Sequence, residues 1–155
     1  MTKYKLLSID IYEWCKKHEL WGDNTIYFDG KAWSNSETWH GEKGKKISED
    51  LYEYEDRNPR DYFEYANPKT LSMSFEGSLN HVLNGYTPYY WKLEEEFSKL
   101  FKKYGLYYEL GHSWNLSAYE IYKRLYNNQC KKSHINYGSN SKRPQCRYGV
   151  YLQGQ

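Results

Sequence analysis

Apolar and polar residues alternate along residues 70–76, where Leu71, Met73 and Phe75 occupy every second position. Successive side chains of a β-strand point to opposite faces, so this alternation predicts a half-buried strand with these three residues inward. The apolar residues that follow recur at helical spacing and predict a short helix over residues 78–83.

The strongest helical pattern begins after Thr87, because large apolar residues recur there at spacings of three and four. We expect Thr87 to cap this helix, Pro88 to occupy its first position and Gly105 to end it. Acidic residues come early in the segment and lysines come late, as the helix dipole favours. The predicted inward stripe consists of Tyr90, Leu93, Phe97, Leu100, Phe101 and Tyr104.

The dipeptide Asp29-Gly30 lies between two short apolar segments, residues 25–28 and 31–34. Asp-Gly readily adopts the positive φ values of a two-residue turn, so these segments predict a β-hairpin. The polar, Gly- and Lys-rich residues 35–48 that follow are typical of a loop.

Tyrosines alternate with glutamates along residues 51–56, which predicts an edge strand. Near the start of the chain, Ser8 is expected to cap a first helix that runs to about His18.

Apolar residues occupy alternate positions along residues 106–116, which predicts one long strand with a bulge or close approach at Gly111. Ser117 and Glu120 have the spacing of a capping box, so a helix is expected to continue to about residue 125.

These elements do not strictly alternate between strand and helix, which favours an α+β fold with an antiparallel sheet. Its centre is predicted to be a strand–helix–helix–strand unit over residues 70–116, packed by helices. We expect a single α+β domain over residues 1–128 and a basic tail over residues 129–155, which returns as a short strand near its end.

The composition is unusual in its aromatic content, because the 155 residues include 19 tyrosines and aromatic residues make up 19% of the chain. Disordered chains are poor in aromatic residues, so wholesale disorder is excluded. No apolar run approaches the roughly 18 residues of a membrane span, so we expect no membrane partner. Tyrosine suits protein interfaces, because it offers a large contact area at low entropic cost. The tyrosines that cluster near acids or turns are Tyr52, Tyr54, Tyr62, Tyr65, Tyr86 and Tyr89.

Charge is divided between an acidic body and a basic tail. The first 120 residues carry 15 basic and 20 acidic groups, whereas residues 121–155 carry seven basic groups and no acidic group.

Acidic residues and tyrosines concentrate in residues 49–64, which we expect to form a partner-binding face. Carboxylates accept hydrogen bonds from Arg and Lys of a partner, as nucleic-acid phosphates do. The competing interpretation is a solvated edge strand protected by its charges. The predicted face comprises Glu49, Asp50, Tyr52, Glu53, Tyr54, Glu55, Asp56, Asp61 and Glu64.

The tail supports a different interpretation, in which basic residues contact phosphates and interleaved tyrosines stack on bases. A merely solubilising tail is the simpler alternative. The candidate nucleic-acid-binding residues are Lys131, Lys132, Lys142, Arg143 and Arg147.

The chain has three cysteines, Cys15, Cys130 and Cys146, and no apparent signal peptide. An odd number of cysteines then favours a reducing compartment, so we expect a cytoplasmic protein with free thiols. Together with His134, the last two cysteines form a metal-like group, but it lacks a fourth ligand and paired Cys spacing. We therefore predict no metal and no cofactor.

No nucleotide-binding loop, nucleophile elbow or calcium loop is present in the sequence. His40, in a loop beside Trp39, is the histidine with most reason to be tested as a catalyst. His112 is expected to be a core or interface histidine, and an enzyme that uses His40 or His112 is the third functional hypothesis. We predict a protein that is not an enzyme.

Three segments resemble a family of small uncharacterised proteins from phages and mobile elements of low-GC Gram-positive bacteria. They are WGDNTIYFDGKAW at residues 21–33, TWHG at residues 38–41 and DYFEYANPKTLSMSFEG at residues 61–77. The likeness covers roughly residues 8–120 and brings no catalytic residues. It implies a bacterial host cell as the setting, where phage proteins of this size often bind and block defence enzymes. Anti-CRISPR proteins are the best-known group, and many of them are acidic.

The first functional hypothesis is therefore a non-enzymatic anti-CRISPR inhibitor. Its acidic Tyr-rich face would bind a host CRISPR-associated nuclease or its guide complex and block the basic nucleic-acid site. The alternative is a nucleic-acid-binding phage accessory protein that works through the basic tail.

Overall fold

The computed structural model describes residues 1–121, which have an α+β fold. The helices are α1 (Lys3–Lys17), α2 (Ser78–Leu83) and α3 (Tyr90–Lys103), and a 3₁₀ turn spans Pro59–Asp61. The strands are β1 (Asn24–Phe28), β2 (Lys31–Ser34), β3 (Thr38–Trp39), β4 (Glu42–Lys43), β5 (Lys45–Ser48), β6 (Leu51–Tyr54), β7 (Leu71–Phe75), β8 (Leu106–Leu110) and β9 (Asn115–Glu120). Seven of these strands form an antiparallel sheet in the order β5-β6-β2-β1-β7-β9-β8, and β3 and β4 form a separate hairpin.

The main core lies between the helices and one face of the sheet. From the sheet, Ile26, Met73 and Leu116 contribute fully buried side chains, and Phe97 and Phe101 of α3 pack into the same cluster. Burying a large apolar side chain stabilises a fold by about 1.5–3 kcal/mol, so this cluster is the principal source of stability.

The opposite face of the sheet is covered by residues 55–70, the segment between β6 and β7. Phe63 and Ala66 of that segment pack with Tyr27 and Tyr54 in a second buried cluster. The covering segment is therefore held against the sheet by its own apolar residues.

Several local predictions are confirmed. Asp29 and Gly30 form the turn of the β1–β2 hairpin with φ values of 50° and 75°. The strand predicted from the alternating apolar and polar residues 70–76 is β7, whose Leu71, Met73 and Phe75 are fully buried.

The predicted start of the first helix is wrong. The Thr2 side chain accepts a hydrogen bond from the Lys5 amide at 3.1 Å, so Thr2 caps α1. Ser8 lies buried inside the helix, where its hydroxyl donates to the Tyr4 carbonyl at 2.8 Å. A serine within a helix can satisfy its hydroxyl on the preceding turn, and a cap signal then misleads.

The interpretation of residues 35–48 as a loop is also wrong, because β3, β4 and β5 lie there. Strand β6 is not an edge strand, since it pairs with β2 on one side and with β5 on the other. The edge is instead β5, whose exposed Lys45 and Lys46 are typical protection for an edge.

The predicted long strand over residues 106–116 is a hairpin of two strands, β8 and β9. The Gly111 amide donates to the Asn115 carbonyl at 3.2 Å, and the His112 amide donates to the Asn115 side chain at 3.1 Å. A side chain at position 111 would collide with the Asn115 carboxamide, so the close approach expected at this glycine is present. Strand β7 pairs with β9, so β8 lies at the edge of the sheet.

The helix predicted from the capping box at Ser117 is wrong within the described residues, because β9 continues to Glu120. Helix α3 begins at Tyr90, two residues later than the start predicted at Pro88, and its cap residue is Tyr89 instead of Thr87. The Thr87 hydroxyl is buried without a partner in the described part of the chain. The end of the predicted domain at residue 128 and the tail over residues 129–155 lie outside the described residues.

Candidate functional site

The predicted acidic face is divided by the sheet. Glu53 lies on the helix-covered face, where it is only 7% exposed, and accepts hydrogen bonds from the indole Nε1 of Trp33 at 2.9 Å and from Lys31 Nζ at 3.0 Å. Burial favours its neutral form, but these two donors outweigh burial and lower the pKa of Glu53. Tyr54, which is 3% exposed, packs in the second cluster. Neither residue can contact a partner, so the prediction is wrong for both.

Two further acids of the predicted face form ion pairs with lysines of the same chain. Asp50 forms an ion pair with Lys16 and accepts a hydrogen bond from the Tyr12 hydroxyl at 2.7 Å. Burial would raise the pKa of Asp50, but these partners lower it. Glu55 pairs at 2.5 Å with Lys31, the same lysine that contacts Glu53. These carboxylates are partly neutralised within the protein.

Four acids of the predicted face remain available. Glu49, Asp56, Asp61 and Glu64 are exposed, and none of them forms an ion pair with another residue in the range 1–121. Asp56, Asp61 and Glu64 all lie on the segment between β6 and β7, which covers the second face of the sheet. Three unneutralised carboxylates are thus carried by one surface segment.

A shallow cavity of about 250 Å³ lies where this segment meets the β1–β2 turn. Asp29 and Asp56 both line it, together with Asn58 and Thr70. Sequence reasoning assigned Asp29 only to a turn and missed it as a member of the acidic surface. Its Asp-Gly context was the available signal, because such a turn projects its first side chain into solvent at the end of a hairpin.

An aromatic stack holds the covering segment at one end. Trp39 of the β3–β4 hairpin stacks on Tyr62 with centroids 4.8 Å apart, and His40 lies 5.7 Å from the same ring. The Arg57 guanidinium lies 5.3 Å from the Trp39 ring and also pairs with Glu42. Cation–π and stacking contacts therefore fix the backbone on either side of Asp61.

A hydrogen-bond network holds the segment at its other end. The Asn67 amide donates to both the Ser72 and the Ser117 hydroxyls, at 3.0 and 3.1 Å. The Ser117 hydroxyl also lies within 3.0 Å of the Tyr65 carbonyl, to which it donates. Small polar side chains on this face thus serve as the docking points for the segment that carries Asp61 and Glu64.

The two candidate histidines occupy different surroundings from those expected of a catalyst. His112 lies in the exposed β8–β9 turn, stacked 5.9 Å from Trp114, and not in a strand core. Within residues 1–121, neither His40 nor His112 has a side-chain hydrogen bond to an acid or a nucleophile, and no group of three potential metal ligands occurs.

A second exposed feature lies at the turn between α2 and α3, where aromatic residues project into solvent. Tyr86 is 71% exposed, Tyr89 70% and Trp91 52%. The turn position of the two tyrosines was a usable signal, but Trp91 was not identified from the sequence. Tyr90, predicted as part of the inward stripe, is also exposed.

The predicted nucleic-acid-binding residues, Lys131, Lys132, Lys142, Arg143 and Arg147, lie outside the described residues, as do Cys130 and Cys146. In the part of the chain that the structure describes, no helix is both long and apolar enough to cross a membrane. No family model, no curated protein and no solved structure matches this chain.

Proposed function

We propose that this protein is a non-enzymatic inhibitor that binds an RNA-guided nuclease of a bacterial defence system and blocks its nucleic-acid site. The observation that carries the proposal is the group of exposed carboxylates at Asp56, Asp61 and Glu64, none of which is neutralised by a described residue. The resemblance to phage and mobile-element proteins supplies the biological setting.

The chemistry of the target favours such a surface. RNA-guided nucleases hold the guide–target duplex in a positively charged channel and contact its backbone rather than its sequence. Carboxylates offer the same charge-assisted hydrogen bonds to Arg and Lys as phosphates do. A protein that presents several fixed carboxylates can therefore compete with nucleic acid for such a channel.

The acidic segment, which is the covering segment between β6 and β7 that carries these carboxylates, is also ordered before binding. Phe63 and Ala66 are buried beneath it, Tyr62 is stacked on Trp39, and Asn67 is hydrogen-bonded to the sheet. A surface that is already ordered loses little conformational entropy on binding, which favours affinity.

The net negative charge of the described domain also favours binding to a basic channel. The 15 basic and 20 acidic groups of residues 1–120 give it a charge of −5. Long-range attraction to a basic channel accelerates association and weakens as salt is added. We therefore expect 1:1 binding that is salt-sensitive.

The test is a titration of the purified full chain against a guide-loaded RNA-guided nuclease and, separately, against bare single- and double-stranded DNA. An acidic-segment variant carries Asp56→Lys, Asp61→Lys and Glu64→Lys. A control variant with the same change in net charge reverses exposed acids elsewhere on the domain, namely Glu13→Lys, Glu19→Lys and Glu76→Lys.

We expect the wild-type chain and the control variant to bind the nuclease, and the acidic-segment variant to bind about tenfold or more weakly. Equal losses in both variants would show that only net charge matters and would overturn the assignment to this segment. Binding to bare DNA without binding to the nuclease would overturn the inhibitor proposal and move the function to the basic tail.

A further inference from the structure

Two exposed aromatic rings at the start of α3 form a corner that already holds a cation. The ring centroids of Tyr89 and Trp91 are 6.5 Å apart, and the ring planes are inclined at 64°. The ammonium of Lys92 lies 5.5 Å from the Tyr89 centroid and 5.2 Å from the Trp91 centroid. These distances are within the range in which a ring quadrupole attracts a cation.

The backbone at this corner is unfavourable for the residue it carries. Tyr89 has φ 60° and ψ 19°, a left-handed conformation that glycine or asparagine adopts far more readily than tyrosine. Its side chain makes no capping hydrogen bond, and 70% of its surface is exposed. The tyrosine therefore contributes little to the fold at this position, and strained exposed residues of this kind concentrate at binding sites.

An acid lies one helical turn beyond the corner. Glu95 follows Trp91 by four residues in α3, so both side chains lie on the same face of the helix. Its carboxylate is exposed and pairs with Lys99 at 2.8 Å. A cation placed over Trp91 would thus have an anionic hydrogen-bond acceptor close by.

We propose that Tyr89 and Trp91 bind the guanidinium of an arginine side chain in a basic segment of a partner protein, which displaces Lys92 from the corner. Arginine fits better than lysine because its planar guanidinium is weakly hydrated and stacks on aromatic faces. A nucleic-acid base would also stack on exposed rings, but its phosphates would meet Glu95 and a domain of charge −5. The site does not depend on the acidic segment, which covers the other face of the sheet.

The test uses peptides of nine arginines or nine lysines and a single-stranded oligonucleotide as probes, added to the full chain. Binding is followed by the NMR signal of the Trp91 indole, assigned by comparison with Trp91→Phe. The variants that test the corner are Tyr89→Gly and Lys92→Gln. Their controls are Tyr65→Gly, since Tyr65 is also exposed and left-handed at φ 61°, and Lys102→Gln, since Lys102 is an exposed lysine of the same helix.

We expect the arginine peptide to shift the Trp91 signal at lower concentration than the lysine peptide. Lys92→Gln removes the internal competitor and should tighten arginine binding about two- to fivefold, whereas Lys102→Gln should tighten it less. Tyr89→Gly should weaken arginine binding, and Tyr65→Gly should leave it unchanged.

Three outcomes would overturn the proposal. Equal effects of Lys92→Gln and Lys102→Gln would show general charge attraction without use of the corner. A larger shift with the oligonucleotide than with the arginine peptide would identify a base-stacking platform. An unchanged Trp91 signal with every probe would show that the corner binds none of them.

Discussion

The indole Nε1 of Trp33 donates a hydrogen bond to the Glu53 carboxylate across 2.9 Å, between directly paired residues of β2 and β6. The pair lies on the helix-covered face of the sheet, and the Lys31 ammonium forms an ion pair with the same carboxylate. Glu53 is therefore part of the fold, although its sequence context of alternating tyrosines and acids is that of a charged surface.

Replacing Glu53 by glutamine is expected to destabilise the protein by about 1–2 kcal/mol, because a charge-assisted hydrogen bond and a partly buried ion pair are lost together. Chemical denaturation with urea measures the change in the free energy of unfolding. The control is Glu55→Gln, which removes an exposed carboxylate that contacts the same lysine and should cost less than about 1 kcal/mol. Equal effects of the two substitutions would contradict a structural role for Glu53.

The same contact predicts a pH dependence. The pKa of Glu53 is lower in the folded chain than its ordinary value of 4.5, so its stabilising contribution is present above that pH and is lost as the pH falls below it. Between pH 5 and pH 3, roughly, the wild-type chain should lose more stability than Glu53→Gln. Parallel stability curves for the two proteins would show that the folded state does not lower this pKa.

Elements that depend on local pattern were predictable from the sequence. The alternation of Leu71, Met73 and Phe75 and the Asp29-Gly30 turn each act within a few residues, and both agree with the structure. The segment that begins at Ser117 was predicted as a helix from a genuine capping-box spacing. It forms a strand because β7 and β8 pair with it on both sides, and those contacts join residues far apart in the chain.

The site was only partly predictable for the same reason. The ion pairs of Asp50 with Lys16 and of Glu53 with Lys31 join residues 34 and 22 positions apart. No local signal distinguishes these acids from Asp61 and Glu64, which remain free of described ion-pair partners. Burial and pairing in the fold, rather than local composition, decide which carboxylates a partner can reach.

The Cys15 thiol is fully buried in the main core, and burial raises its pKa to about 12. Since the thiolate is the reactive form, we expect Cys15 to resist alkylation by iodoacetamide at neutral pH in the folded protein. The measurement uses a Cys130→Ser, Cys146→Ser variant and mass spectrometry with and without denaturant. Rapid modification of the folded variant would contradict the burial of α1 against the sheet.

Tyr89→Gly is expected to stabilise the protein by about 1 kcal/mol, because glycine adopts the left-handed backbone of this position without strain. The matched control is Tyr86→Gly, at an equally exposed tyrosine that does not have a positive φ, where added backbone entropy should destabilise the protein by about 0.5–1 kcal/mol. Thermal unfolding followed by circular dichroism shows whether each substitution raises or lowers the stability of the protein. Destabilisation by Tyr89→Gly would show that this side chain contributes to folding.

Ser117→Ala should loosen the segment that carries Asp61 and Glu64. The substitution removes the hydroxyl that accepts from the Asn67 amide and donates to the Tyr65 carbonyl, at an expected cost of about 1–2 kcal/mol. Hydrogen exchange should accelerate at the amides of residues 62–67, whereas the exposed control Ser113→Ala should leave it unchanged. Unaltered exchange in Ser117→Ala would show that the aromatic stack alone holds the segment.

The most direct test of the central claim is competition between this protein and target DNA for a guide-loaded RNA-guided nuclease. The apparent Kd of the full chain for the nuclease is measured at increasing concentrations of target DNA, with a catalytically inactive nuclease so that no DNA is consumed. If the carboxylates of Asp56, Asp61 and Glu64 occupy the nucleic-acid site, the apparent Kd rises in proportion to the DNA concentration. An apparent Kd that stays constant, with both ligands bound at once, would contradict the account.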